Sequence, residues 1–440
     1  MEFGLKCRPR PRRPACSADS NIDLNLQTQH RTKKICFAAR LQSLSTSQKI
    51  PQTSGSRHFF TVKGLHVGKM NLAVVGGGNG SYTIAGDFAL AGHRVRIWPG
   101  SRDKHAELYR RGTIRLEGLG RTGEARLELV SDDPAEVVRG AEVIFCTDPA
   151  HTQVARALTL APHLENGSVV FLSPGSLGSF VFEQTLRAAG RQVDLSYAEP
   201  GTLPYLTRKV ESARVQVSGL AARLPLGVFP ARNTARVVEL LAGLYPSVHP
   251  VENALSAALL NVGPIIHSVL FLLNTGAIEH FPAWDIHNEG TTESVKKLVL
   301  AHDAERISIR KALGYTSHHY PFADHYNPGG TEWMYGKRAH TDLVKSEKWR
   351  EELNFRHRYI MEDVKCNLAL LVSVGNLCQV ATPIADALLT LIGAICGENF
   401  RETGRSLESL GIGHMSPEEL TALLWQGFGS PSTPDISGKK

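Results

Sequence analysis

The chain has 440 residues, 42% hydrophobic and 21% charged, the balance of a globular protein long enough for two domains. Its formal charge of +7 and pI near 9.0 raise the question of nucleic acid. The distribution excludes it: residues 1–69 carry 13 Lys and Arg against three acids (Glu2, Asp19, Asp23), a net of +10 that leaves the rest of the chain at −3.

Residues 1–69 are rich in Arg, Ser and Gln and lack the apolar core of a secretory signal. They read as an organelle transit segment or as untranslated sequence upstream of Met70, and are set aside from the fold. The seven cysteines include no CxxC pair, which fits a reducing compartment and gives a cytoplasmic expectation with no metal site.

The first convincing pattern is "NLAVVGGGNGSYTIAGDFALAGHRVRIW", Asn71–Trp98, which reads as strand, glycine turn, helix, strand. Gly76, Gly78 and Ser81 occupy GxGxxG spacing, with Ser as a small substitute at the third place. The first glycine permits a tight turn, the second lets backbone approach a pyrophosphate, and the third packs helix on strand. With Asn79 and Gly80, these residues are the candidate cofactor-binding set. The turn opens a helix whose first N–H groups suit phosphate.

A carboxylate at the end of the second strand would hold the ribose of NAD(H). Here the chain reads "VRIWPGSRDK", with Pro99 at that place and no acid between Asp87 and Asp103. Ser101 and Arg102 follow, a hydroxyl and a guanidinium suited to a 2′-phosphate. The expectation is NADP(H), with NAD(H) as the alternative. Further strands in "AEVIFCTDPAH", "GSVVFLSPGSLGS" and "VDLSYAE" alternate with helical stretches, which predicts a doubly wound parallel sheet of Rossmann type over residues 70–250. Asp148–His151, Ser173–Ser176 and Glu199–Tyr205 would then lie near the cofactor cleft.

After residue 250 the apolar period becomes helical, and residues 251–428 are expected to form an all-α domain, with a disordered tail at 429–440. The cleft between the two domains is the expected substrate site. From Asn253 to Ile278 no Asp, Glu, Lys or Arg appears. That length matches a membrane span, but Asn261, Gly263, Pro264, His267 and Asn274 interrupt it and its flanks are acidic, so a buried helix in a soluble protein is expected, without membrane contact. By spacing alone, His267 within this run is a packed core histidine. "SHHYPFADHYNPGG" clusters histidines but reads as a loop and matches no metal framework. In "HRYIMEDV", Asp363 suits a histidine partner and Arg358 a substrate carboxylate, although from composition alone ordinary exposed helix charges are the better reading.

Several segments in order resemble the octopine/nopaline (opine) dehydrogenase family. They are "GGGNG" at the first turn, "AEPGTLPYLTR" at 198–208, "NVGPIIHSVLFLLNTGAIE" at 261–279, "EGTTESV" at 289–295, "RYIMEDV" at 358–364 and "TPIADALLTLIGAICGENFRETGRSLESLG" at 382–411. The likeness covers nearly all of residues 70–425. It implies an NAD(P)H-dependent oxidoreductase that reductively condenses a 2-oxo acid, such as pyruvate, with the amino group of an amino acid or related amine. It also implies His267 and Asp363 as the catalytic pair and Arg358 as a substrate-carboxylate ligand, with Asn261 beside them as a substrate-binding candidate. Three residues depart from the family pattern: Ser268 stands where proline usually follows the histidine, Gly263 where some members have Asn, and Ser81 ends the glycine fingerprint. Two other readings share these parts: a two-domain reductase making a hydroxy acid without an amine, and a non-enzymatic nucleotide-binding protein. The expected partners are small molecules, with a homodimer left open.

Overall fold

The computed structural model describes residues 68–429 apart from residue 347, so the leader and the C-terminal tail lie almost wholly outside the described residues. Twelve strands occur among them. In chain order they are β1 (Asn71–Val75), β2 (Arg94–Trp98), β3 (Thr113–Gly118), β4 (Gly123–Arg126), β5 (Leu129–Val130) and β6 (Val143–Cys146), then β7 (Val169–Leu172), β8 (Ser196–Pro200), β9 (Tyr205–Glu211), β10 (Arg214–Leu220), β11 (Leu224–Phe229) and β12 (Val248–Pro250). The main sheet has the order β12-β11-β8-β7-β6-β1-β2-β5. Its pairs are parallel except β8–β11, which is antiparallel. β1, β6 and β7 are apolar runs buried on both faces, as a sheet covered by helices on each side requires.

The order reverses direction at β1. The chain leaves β1 for β2 on one side and later returns to β6 on the other, which opens a crevice at the carboxyl ends of β1 and β6. A second sheet, β4-β3-β10-β9, packs against the helix Asn79–Leu90. Sequence reasoning missed this sheet, because its central pair joins Arg115 to Arg214, far apart along the chain.

After Pro250 the described elements are helices and loops, with one isolated bridge between Trp284 and Glu351. The uncharged run folds as three helices, Ala254–Ala258, Gly263–Leu273 and Thr275–His280. Most of the stretch Ala254–Leu273 is buried inside the protein, despite being long and apolar enough to cross a membrane. Gly263–Leu273 packs against Tyr359–Leu368, Glu293–Ala312 and Pro383–Cys396. Glu293–Ala312 begins on a Thr292 cap and stops at Gly314, whose φ of 71° is the left-handed conformation of a helix end.

The segment Tyr359–Leu368 is π-helical and continues as the α-helix Ala369–Leu377. In a π-helix each hydrogen bond spans five residues and a turn holds about 4.4, so residues five apart come within about 50° of one another around the axis. The α period assumed from the sequence turns such residues about 140° apart.

Candidate active site

Two neighbouring cavities lie where the strand ends meet the helices. One, of about 920 Å³, runs along the glycine turn and is lined by Gly78, Asn79, Gly80, Thr147 and Pro149 among others. The other, of about 1040 Å³, is lined by His267, Asp363 and Asn261. They share Pro174, Leu203, Leu206, Trp349, Arg358 and Glu362, so a molecule in one meets a molecule in the other across that wall.

His267 Nδ1 and Asp363 Oδ2 are 2.7 Å apart. With Nδ1 engaged, Nε2 is the ring nitrogen left for a substrate. Tyr359 stacks on the imidazole at 3.7 Å between ring centres, and His287 meets it edge-on at 5.5 Å. A Cβ on Gly263 would stand 2.4 Å from Asp363 Oδ1. Glycine there lets the carboxylate lie against the first turn of the His267 helix, where negative charge is favoured. This gives one departure from the family pattern a local reason. Ser268 is fully buried, and its hydroxyl donates to the Pro264 carbonyl at 2.6 Å, so it is satisfied within its own helix. Asn261 lines the cavity, and its Oδ1 accepts from the Gly263 N–H at 2.9 Å.

Burial pulls His267 well below its ordinary pKa, and the Arg358 charge adds to the effect. Burial pushes Asp363 up, against the pull of Arg358. Both groups are thus driven toward their neutral forms, and the pair competes for one proton.

The π-helical turn brings Arg358 and Asp363 to one cavity wall, with Glu362 between the two cavities. Arg358 Nη1 lies 4.0 Å from Glu362 Oε1, and Glu362 Oε2 accepts from the Ala150 N–H at 3.1 Å. Arg405 donates to the carbonyls of Ser176 and Ala150, tying the loops after β6 and β7 to the helices. Burial raises Glu362 from 4.5 to about 7, and the neighbouring Asp363 adds to it. The folded protein therefore holds a proton that the unfolded chain has lost. The favourable difference present below 4.5 is lost as pH rises toward about 7, and above that the full burial cost remains. Glu362→Gln should thus raise stability over wild type at pH 8 by ~1–3 kcal/mol and by little at pH 4.5. Thermal melts at both pH values check this; an equal gain at each contradicts a titrating Glu362.

The glycine turn fits a dinucleotide. Gly76 has a φ of 122°, open to glycine and strained for other residues. A Cβ on Gly78 would meet nothing within 4 Å, so the groove is open there. The helix Asn79–Leu90 has no side-chain cap and no acid in its first turn, which leaves its N-terminal N–H groups suited to a pyrophosphate. Asn79 Oδ1 accepts from the Lys209 N–H, and Lys209 Nζ donates to the Gly77 carbonyl at 2.9 Å, placing a cation beside the turn. Ser81 faces inward, 2.5 Å from Thr147 Oγ1, in the packing role of the third position. Ser101 is exposed after β2. Arg102 makes a two-pronged contact with Asp132 and lies over the Tyr109 ring, an arrangement invisible from the local sequence.

Sequence reasoning missed Tyr359 and Glu362, which lie inside the quoted "HRYIMEDV". It also missed His287 and Arg208, which line the cavities from a loop and from β9. Arg208 donates to Glu351 at 2.9 Å and stands over Trp349 at 4.6 Å. His325, from the histidine-rich stretch, lines the cavity beside His267, while His319 Nδ1 accepts from Arg310 at 3.1 Å. Among the described residues no group of three side chains is placed to hold a metal.

Residues 250–396 match the family model for the NAD/NADP octopine/nopaline dehydrogenase α-helical domain. The opine dehydrogenase of Arthrobacter sp. (strain 1C) is 31% identical over 350 residues, covering 77% of this chain and 94% of the relative. Protein ocs of Agrobacterium vitis is 27% identical, covering 78% of this chain and 95% of its own. Among solved structures, octopine dehydrogenase in complex with NADH and agmatine superposes with a TM-score of 0.62 at 18% identity, over 80% of this chain and 98% of that one. Yersinopine dehydrogenase bound to NADP+ gives 0.57 at 17% identity, over 81% and 98%.

Proposed function

Because this chain belongs to the octopine/nopaline (opine) dehydrogenase family, we propose that it joins a 2-oxo acid such as pyruvate to the amino group of an amino acid through the His267–Asp363 pair. It is a nicotinamide-dependent oxidoreductase acting on small molecules. The observation that carries the site assignment is the wall shared by the two cavities, with Arg358 on it and His267 beside it.

The reduced nicotinamide supplies the hydride. Arg358 pairs with the oxo acid's carboxylate and turns its carbonyl carbon toward the shared wall. The amine nitrogen attacks that carbon, and water leaves to give an imine that is reduced to a secondary amine. His267 Nε2 takes a proton from the substrate ammonium to free the amine. A second proton passes from the attacking nitrogen to the carbonyl oxygen. His267 returns the first to the resulting hydroxyl, which departs as water and leaves a protonated imine for the hydride. Asp363 on Nδ1 stabilises the imidazolium between these steps. The apolar surroundings exclude water that would hydrolyse the imine.

The test is oxidation of NADPH in the presence of pyruvate, with and without an added amino acid, followed by product mass. Amine-dependent oxidation and a product that retains the amine nitrogen are expected. Oxidation that ignores the amine and yields a hydroxy acid overturns the reading.

We also propose a preference for NADP(H). Trp98 and Pro99 end β2 without an acid, and Ser101 and Arg102 follow. Asp132 holds Arg102 in place at the surface, and a 2′-phosphate would compete with it for the guanidinium. Arg102→Glu should raise the KM for NADPH by roughly 10-fold or more and leave that for NADH nearly unchanged. Equal effects on both cofactors contradict the preference. The four cysteines among the described residues are free thiols, which supports a reducing, cytoplasmic setting.

A further inference from the structure

The cavity beside His267 carries its charge at one end. Arg358, Glu362 and Asp363 come from a single turn of the π-helical segment and serve the reacting centre. The segment 322–343 supplies another part of the lining with Phe322, His325, Trp333, Ala339 and Leu343. None of the acids of that segment lines the cavity. Glu332 pairs with Arg223 and Asp342 with Arg338, both at exposed positions, and Asp324 lies outside the lining.

The two histidines further along the lining carry no charge near neutral pH. Burial holds His287 and His325 well below the ordinary value, and neighbouring histidine rings add to it. The aromatic rings form no open box for a cation. Phe322, Trp333 and His325 pack on one another, with ring centres 4.8 to 5.5 Å apart, two pairs tilted and Phe322–Trp333 edge-on, so the rings are taken up by one another. The Tyr335 hydroxyl is engaged as well, accepting from Thr202 and donating to the Leu203 carbonyl.

Resting on the opine reading above, we infer that the amine co-substrate is an amino acid with an uncharged apolar or aromatic side chain, seated against the lining of segment 322–343. A guanidinium or ammonium placed there would be desolvated without a carboxylate to meet it, while an apolar side chain gains from leaving water. A carboxylate side chain would meet no cation there, since Arg358 is held for the oxo acid. The amino acid's own amino group and carboxylate stay at the charged end.

The experiment measures kcat/KM with the full chain, saturating NADPH and pyruvate, for L-phenylalanine, L-leucine and L-methionine against L-arginine, L-lysine and L-aspartate. The apolar group is expected to exceed the charged group by about 100-fold or more. A charged amino acid as the best substrate overturns the inference and leaves the opine reading intact. NADPH oxidation independent of every amine overturns the opine reading and the inference with it. Leu343→Glu places a carboxylate on this lining and should shift the lysine-to-leucine ratio toward lysine by at least about 10-fold. Ala339→Asp does the same at a second position, should Leu343→Glu fail to fold. An unchanged ratio in the folded variant removes segment 322–343 from amine recognition.

Discussion

His267→Ala should lower kcat by about 10²–10⁴-fold, the range that a positioned acid–base group contributes. KM for NADPH should move little, because the glycine-turn groove is built from other elements. Asp363→Asn should also cost most of the activity, because the amide no longer stabilises a protonated imidazole. The pH profile separates catalysis from simple packing. Burial already pulls His267 down, and removing the carboxylate at 2.7 Å pulls it further, so any limb set by the protonated pair should move to lower pH in Asp363→Asn. A folded His267→Ala protein that turns over at the wild-type rate would falsify the assignment.

The second large effect is expected at Arg358. Arg358→Met should reduce kcat/KM for the oxo acid by about 100-fold, the loss of a charge-assisted, desolvated contact. Arg358→Lys should recover part of this, since a point charge replaces the planar fork without its geometry. The KM for the oxo acid should rise more than that for the amine. The opposite pattern would move Arg358 to the amine's carboxylate. The substitution also removes the only cation facing Glu362 and Asp363 on their own turn, so each carboxyl should be driven further toward its neutral form.

The legible parts of this chain were those written in local pattern. β1, its glycine turn and the following helix could be read because a buried strand, the φ of Gly76 and a helix start each leave a short signature. The β3/β10 pairing left none, because its partners are nearly a hundred residues apart and each strand alone is short. Arg102 carried the signature of a phosphate ligand, but the carboxylate it meets comes from the turn after β5. At the active site, His267 was conspicuous as the lone titratable group in an apolar run. Glu362 and Tyr359 were not, because each reads as an ordinary residue of a helical stretch and nothing local shows that the stretch lines a cavity. His287 sits in a loop whose sequence says nothing of the cavity it reaches.

The π-helical turn makes the site depend on the number of residues between Arg358 and Asp363 as much as on their identity. Relaxing the turn to an α-helix at unchanged length would swing the two groups about 140° apart. Every side chain would survive such a relaxation, yet the constellation would come apart. A one-residue deletion would return the pair to same-face spacing only in the α form, so chain length and helix type are tied together in this turn.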